Sequence, residues 1–64
     1  MAAKKPKWAR EVIRVRNKLG LTQAEFAAKF GVAFATINRW EQGHCIPSPM
    51  AQKLMKIMLI MEDE

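Results

Sequence analysis

The hydrophobic residues of this chain recur at helical spacing in four successive segments. The first segment has apolar residues at intervals of 4, 3 and 4: Trp8, Val12, Val15 and Leu19. That spacing places them on one stripe of an α-helix, and Gly20, just after the stripe, is the residue type that commonly ends a helix. No segment of the sequence alternates apolar and polar residues over the length of a strand. The pattern therefore predicts an all-α fold.

A second helix is predicted to begin after Thr22. Thr22 and Glu25 have the spacing of a capping box, in which each side chain accepts a hydrogen bond from the backbone N–H of the other residue. The core-facing residues of this helix are Phe26, Ala27 and Phe30. Gly31 ends the helix after about eight residues, a length that needs tertiary packing for stability.

A third helical pattern covers residues 33–42, directs Ile37 and Trp40 inward, and ends at Gly43. Two short helices joined by a Gly-containing turn, with the second followed by a loop and another helix, form the helix-turn-helix pattern. This motif needs a small residue where the two helices cross and a residue that tolerates positive φ in the turn. Ala27 and Gly31 fall at these two positions.

The fourth predicted helix has Ser48 as N-cap and Pro49 at the first helical position, where its missing N–H costs nothing. One side of it carries Leu54, Ile57, Met58 and Met61. Further residues make the helix apolar on more than one side: Met50, Met55, Leu59 and Ile60. Either the helix pairs with its twin in a homodimer, or it completes the core alone and the chain once continued. Methionine suits adaptable interfaces, and we favour the homodimer.

Length and composition narrow the function classes. With 64 residues, half of them apolar and 27% charged, the chain is expected to fold as one small domain and is too short for a multi-step enzyme. The single cysteine, Cys45, can neither close an internal disulfide nor complete a zinc site, and neighbouring His44 has no third ligand or acid partner at useful spacing. No apolar run is long enough to span a bilayer. We expect a cytoplasmic protein, not an enzyme, with no metal, cofactor, membrane association or small-molecule substrate.

Positive charge is concentrated at the N-terminal end. Residues 1–18 carry seven basic residues and one acidic residue, a net +6, whereas residues 19–64 carry four basic and five acidic residues, a net −1. Clustered cations are typical of proteins that bind polyanions, because they displace the counterions condensed on phosphates. The expected organisation is a flexible basic arm over residues 1–6, a helix-turn-helix domain over residues 7–61 and an acidic tail over residues 62–64.

The segment from Leu21 to Gly43, LTQAEFAAKFGVAFATINRWEQG, resembles the helix-turn-helix domain of the Cro and phage-repressor type, which is widespread among bacterial and phage transcriptional regulators. The resemblance rests on Thr-Gln, the Ala at the helix crossing, Gly-Val in the turn and Ile-x-x-Trp-Glu-x-Gly. It implies a compact bundle of four short helices, or of five, because related domains usually add a short helix. In that family the second helix of the motif lies in the DNA major groove and dimers read half-sites about one helical turn apart.

The resemblance implies DNA contacts for ten residues: Thr22, Gln23, Ala33, Phe34, Ala35, Thr36, Asn38, Arg39, Gly43 and His44. Thr22 and Gln23 would meet a phosphate at a helix N-terminus, and Thr22 can act as a cap as well. Backbone N–H groups of Gly43 and His44 would meet the sugar-phosphate chain. At Ala33 the family often has Ser or Thr, so a hydroxyl that could cap the recognition helix is missing.

The second helix of the motif, residues 33–42, is the recognition helix, and the resemblance implies particular DNA partners for several of its residues. Arg39 can bind guanine O6 and N7, and Phe34 and Ala35 can meet a thymine methyl group. Thr36 can contact a base or a phosphate, and Asn38, on the outer rim, is expected to contact a phosphate.

The DNA contacts of Phe34 and Arg39 have alternatives, and the resemblance also implies one ion pair within the protein. Phe34 is an unusual aromatic residue at such a position and can instead be a protein contact or a partly buried wedge. Arg39 can instead form a surface ion pair with Glu25 or Glu41. Arg16 and Glu41 match a charge pair that commonly ties the first helix to the recognition helix in this family, so we expect a structural ion pair from these two residues.

The sequence therefore predicts a sequence-specific, double-stranded DNA-binding transcriptional regulator. The alternative is a protein-interaction module on the same fold, either an antitoxin-like partner or a targeting domain of a larger DNA-modifying protein. Its support is the Met-rich fourth helix, the exposed aromatic Phe34 and the missing fifth helix.

Overall fold

The computed structural model describes residues 5–62, and these residues form four α-helices. The helices are α1 (Lys7–Leu19), α2 (Gln23–Phe30), α3 (Phe34–Gln42) and α4 (Pro49–Glu62). The described part of the chain contains no strand. The prediction of an all-α fold is confirmed, and within residues 5–62 the bundle has four helices rather than five.

Both predicted helix caps are present. The Thr22 hydroxyl accepts from the backbone N–H of Glu25 at 3.1 Å, and the Glu25 carboxylate accepts from the backbone N–H of Thr22 at 2.9 Å. The Ser48 hydroxyl accepts from the backbone N–H of Ala51 at 3.2 Å and so caps α4. These side chains define the N-terminal ends of α2 and α4, because each satisfies a backbone donor that the helix itself leaves unpaired.

The core lies where α1 and α2 pack against α3, and α4 packs against α1. Its buried residues are Val12, Val15, Phe26, Ala27, Ile37, Trp40, Ala51 and Met55. The Phe30 ring packs edge-on against two other aromatic rings, with centroid distances of 4.8 Å to Phe26 and 5.5 Å to Trp40. This aromatic contact joins α2 to α3, because such pairs add attraction beyond the apolar area they bury.

The face of α4 that enters the core coincides only in part with the apolar side noted in the sequence. Ala51 and Met55 are buried, and Met58 and Leu59 pack partly against the core. Ile57 and Met61, which belong to the side noted in the sequence, are exposed. Gln52, Lys53 and Lys56 form an exposed polar stripe on another side of the helix, but the apolar residues cover too wide an arc for periodicity to select one core face.

The ends of the domain include parts of the expected arm and tail. Pro6 is the N-cap residue of α1, and its carbonyl accepts from the backbone N–H groups of Ala9 and Arg10. Glu62 is the last residue of α4. Residues 1–4 of the expected arm and residues 63–64 of the expected tail lie outside the described residues. None of the helices described is long and apolar enough to cross a membrane.

Candidate nucleic-acid interface

The side of α3 that faces away from the core is accessible to solvent. Ile37, Trp40 and Glu41 are buried and turn the other side of the helix toward the core. The residues that helical spacing places opposite them are Ala35, Asn38, Arg39 and Gln42, and we call these four the outer face. All of them are exposed except Asn38, which is half-buried.

Phe34 and Thr36 flank the outer face at the N-terminal end of α3. Phe34 is 52% exposed, so its ring is partly supported by the domain and partly free. Thr36 is half-buried, and its backbone N–H donates to the carbonyl of Ala33. Ala33 is the N-cap residue and has no side chain that can cap the helix, as the sequence indicates. Six predicted positions, 33–36, 38 and 39, therefore extend from the N-cap of α3 to its last turn, and each is exposed or half-buried.

A partly buried charge pair fixes α3 to the rest of the domain. The Arg16 guanidinium on α1 donates to the Glu41 carboxylate on α3, from Nε to Oε2 at 2.6 Å and from Nη2 to Oε1 at 3.2 Å. The Arg16 side chain is 18% exposed and the Glu41 side chain 5%. Arg16 also donates from Nη1 to the carbonyl of Leu21 at 3.0 Å, which ties the α1–α2 turn to the same site. Bidentate geometry of this kind specifies the position of both helices.

Gln23 belongs to this network as well. Its side-chain amide donates from Nε2 to Oε1 of Glu41 at 2.8 Å, so the N-terminus of α2 is tied to α3. The family resemblance implies a phosphate contact for Gln23, and the bond to Glu41 was not predicted because residues 18 positions apart have no local spacing signal. One amide hydrogen and the amide oxygen of Gln23 remain available for a ligand.

The loop after α3 is held by the backbone groups that were expected to meet DNA. The N–H of Gly43 donates to the carbonyl of Trp40 at 3.2 Å, and the N–H of His44 donates to the carbonyl of Arg39 at 3.0 Å. These bonds close the C-terminal end of α3, so the two N–H groups are not free for a sugar-phosphate contact. The exposed imidazole of His44 is the group at this position that a phosphate can reach.

Gly43 also marks a close approach of two segments. Its φ is +84°, and an added Cβ would lie 2.8 Å from Cδ of Pro6. The start of α1 is thus packed directly against the end of α3. Lys5 and Lys7 flank Pro6 and are exposed, so they bring positive charge to the same end of the domain as His44.

Arg39 has no ion-pair partner among residues 5–62. The ion pair that these residues contain joins Arg16 to Glu41, and Glu25 is engaged with the backbone of Thr22. The expected competitors for Arg39 are therefore occupied, and its guanidinium extends from the outer face with its donors free.

Two other groups are present in or beside this region. Gln42 shares the outer face and is exposed, although it is not among the residues predicted to contact DNA; its spacing of 7 from Ala35 and 3 from Arg39 would have placed it there. Cys45 is exposed and not in a disulfide. Within the described residues, no group of His, Cys, Asp and Glu side chains is arranged to hold a metal ion.

The sequence match agrees with this architecture. Residues 12–60 match the family model described as Helix-turn-helix. The match covers more than half of the chain, which therefore belongs to the helix-turn-helix family of the Cro and phage-repressor type. At the level of the family this supports a DNA-binding regulator rather than an enzyme.

A curated relative is similar over most of the chain. Antitoxin MqsA of Escherichia coli (strain K12) is 36% identical over 47 residues, which are 73% of this chain and 36% of the relative. The aligned part thus spans little more than a third of that protein's length. No solved structure is a significant match.

Proposed function

We propose that this protein binds double-stranded DNA in a sequence-specific manner and acts as a transcriptional regulator, with α3 in the major groove. The observation that carries the proposal is the accessibility of the outer face, combined with the burial of Ile37, Trp40 and Glu41 on the other side. An α-helix fits the major groove when its outward side chains are free and its inner side is rigidly supported.

The outward groups have the chemistry for base readout. The unpaired Arg39 guanidinium can donate to both O6 and N7 of guanine. Ala35 and the exposed part of Phe34 offer apolar contact to a thymine methyl group. Thr36 and Asn38 are half-buried and lie where they can donate to a base or a phosphate. These contacts would specify sequence, whereas the basic groups around them would set affinity.

Phosphate contacts are available at both ends of the motif. Thr22 is exposed at the start of α2, and its hydroxyl hydrogen is free to donate because only its oxygen serves the helix cap. At the other end, Lys5 and His44 are exposed near the close approach of Pro6 and Gly43. The net charge of +5 supports binding to a polyanion.

The proposal includes a homodimer through α4. Four apolar residues at intervals of 4, 3 and 4 form a second stripe on this helix: Met50, Leu54, Ile57 and Met61. We call this stripe the α4 seam. Three of its residues are exposed large hydrophobics, with 77% of Met50, 44% of Ile57 and 70% of Met61 accessible. Alternating intervals of 3 and 4 are those by which two helices pack against each other, so a second copy with the same seam is a self-complementary partner.

Selection of bound duplexes from a random pool tests the proposal directly. We expect enrichment of one short sequence, arranged as two half-sites about one helical turn apart if the dimer binds. The Arg39→Ala variant should lose preference at one base pair of that site. Recovery of unrelated sequences by the unmodified protein would refute sequence-specific binding.

A second candidate function rests on the similarity to a protein named as an antitoxin and on the exposed apolar residues of α4. In that case the chain would be a protein-interaction module, either an antitoxin-like partner or a targeting domain of a larger DNA-modifying protein. The salt dependence of the binding affinity distinguishes the two functions. DNA binding should weaken with a log–log slope of about −0.9 for each neutralised phosphate, whereas an apolar protein interface should respond little.

A further inference from the structure

Three cations form an exposed row along α1 that the proposed major-groove contact does not use. Lys7, Arg10 and Arg14 follow one another at intervals of 3 and 4, so they share one side of the helix, and we call them the basic ridge. All three are exposed, and none forms an ion pair within residues 5–62. They line one shallow surface groove together with a single acidic residue, Glu11.

The basic ridge points away from α3. The side of α1 that faces α3 carries Arg16, which pairs with Glu41, and Ala9, whose Cβ would lie 4.0 Å from a Cβ at Gly43. Helical spacing places Arg10 and Arg14 beyond a right angle from these two residues. One straight duplex seated on the outer face of α3 therefore has the α1–α3 layer between itself and the ridge.

Folding alone does not explain this arrangement. Like charges at intervals of 3 and 4 repel each other on a helix. The ridge also begins in the first turn of α1, where the helix dipole disfavours cations and where no acidic residue compensates. Pro6 adds no side-chain cap. The net positive charge that remains beside Glu11 is expected where an anionic ligand neutralises it.

We propose that the basic ridge binds the phosphate backbone of a second DNA duplex, so that one protein molecule can bridge two segments of DNA. Lys7 and Arg14 are separated by about 10 Å along the helix axis, at about 1.5 Å per residue, which matches about three base-pair steps of one strand. The contact involves charge only, with no base readout, and is independent of DNA sequence.

A second duplex fits the ridge better than a membrane surface does. A helix that lies on a membrane needs its apolar side free to enter the lipid. The apolar side of α1 is occupied, because Ala9, Val12 and Val15 are buried in the core. The inference goes beyond the proposed function, since the ridge and the outer face of α3 are separate surfaces with separate duplexes.

Energy transfer between donor-labelled and acceptor-labelled duplexes of about 20 base pairs, at about 50 mM salt, measures bridging. The ridge variant K7Q/R10Q/R14Q and the control variant K29Q/K53Q/K56Q each remove three exposed positive charges and lower the net charge from +5 to +2. We expect the ridge variant to reduce the affinity of bridging at least about tenfold and the control to change it much less. Equal losses in both variants would show a general charge effect and overturn the proposal.

Glu11→Gln gives a test of opposite sign. It removes the one carboxylate of the groove and should strengthen bridging, with a matching increase in the salt dependence of the energy transfer. The same substitution at exposed Glu62, E62Q, is the control for net charge. An effect of E11Q no larger than that of E62Q would contradict the proposal.

The location of each duplex is read from backbone amide NMR shifts during titration with the unlabelled duplex. Shifts at residues 34–39 report the outer face of α3, and shifts at residues 7–14 report the ridge. If the first set does not move, the proposed function fails; if the second does not move, the ridge proposal fails.

Bridging that persists in the ridge variant but disappears in Ile57→Glu would instead come from two α3 helices of a dimer. Binding of poly-glutamate, but not DNA, to residues 7–14 would assign the ridge to acidic protein segments and overturn the DNA assignment.

Discussion

The Arg16 guanidinium on α1 and the Glu41 carboxylate on α3 are joined by two hydrogen bonds, at 2.6 Å and 3.2 Å. Glu41 accepts a third from the Gln23 amide on α2, at 2.8 Å. One carboxylate on the inner side of α3 thus positions three helices relative to each other. The outward side of α3 is presented at a defined angle because its inward side is held by directional bonds as well as by Ile37 and Trp40.

Removing this carboxylate should destabilise the domain strongly. Glu41→Ala would leave the Arg16 charge, which is only 18% exposed, without its counter-ion and the Gln23 amide without its acceptor. We expect a loss of about 3 to 5 kcal/mol in the free energy of unfolding, measured by thermal or urea unfolding. Glu11→Ala, at an exposed position, is the control and should stay within about 0.5 kcal/mol. A similarly small loss for Glu41→Ala would refute a structural role for the pair.

Arg39→Ala should weaken DNA binding without affecting the fold. The side chain is exposed and unpaired within residues 5–62, so its removal leaves no buried group unsatisfied. On the preferred duplex we expect a loss of about 1 to 3 kcal/mol in binding free energy, together with relaxed preference at one base pair. Fluorescence anisotropy with the preferred duplex and its single-base variants measures both effects. Lys29→Ala removes an equal charge from α2 and should not relax the preference; equal weakening on every duplex would make Arg39 a phosphate contact.

Alanine at Gly43 should cost more stability than alanine at Gly31. Both glycines have positive φ, +84° and +68°, so each substitution forces alanine into the left-handed region at a cost of about 1 to 2 kcal/mol. At Gly31 the new Cβ meets no atom within 4 Å, whereas at Gly43 it lies 2.8 Å from Cδ of Pro6. Gly43→Ala should therefore lose a further amount of about 1 kcal/mol or more in urea unfolding. Equal losses would show that the start of α1 does not pack against the end of α3.

Ile57→Glu should abolish the proposed homodimer while Ile60→Glu should not. Both isoleucines are on α4 and exposed, at 44% and 61%, but only Ile57 lies in the α4 seam. A carboxylate in the seam would be desolvated against its twin in a second copy. Equilibrium sedimentation at tens of micromolar should give a dimer mass for the unmodified protein and for Ile60→Glu, and a monomer mass for Ile57→Glu. A monomer mass for the unmodified protein would remove the dimer from the proposal.

Local chemistry in the sequence was sufficient to predict the four helices and the ends of the first three, together with the start of the fourth. The Thr22–Glu25 capping box, the Ser48 cap and the glycines that follow α1, α2 and α3 depend only on residues within one turn, so their meaning does not change with tertiary context. Periodicity also assigned Val12, Phe26 and Ile37 to the core, since α1, α2 and α3 each have a polar side that contrasts with the apolar one. The resemblance to the family supplied the Arg16–Glu41 pair, which local spacing cannot reveal.

Tertiary structure alone decided which groups are still free for a ligand. Gln23 is bound to Glu41, and the N–H groups of Gly43 and His44 are used to end α3, so three predicted contacts have fewer donors than the sequence suggests. It also chose the core side of α4, because the apolar residues of this helix cover a wider arc than one core face and periodicity does not select among them. The occupied donors and the core side of α4 have the same physical reason. Which face is buried and which donor is satisfied depend on atoms distant in sequence, whereas helix formation and capping depend on neighbours along the chain.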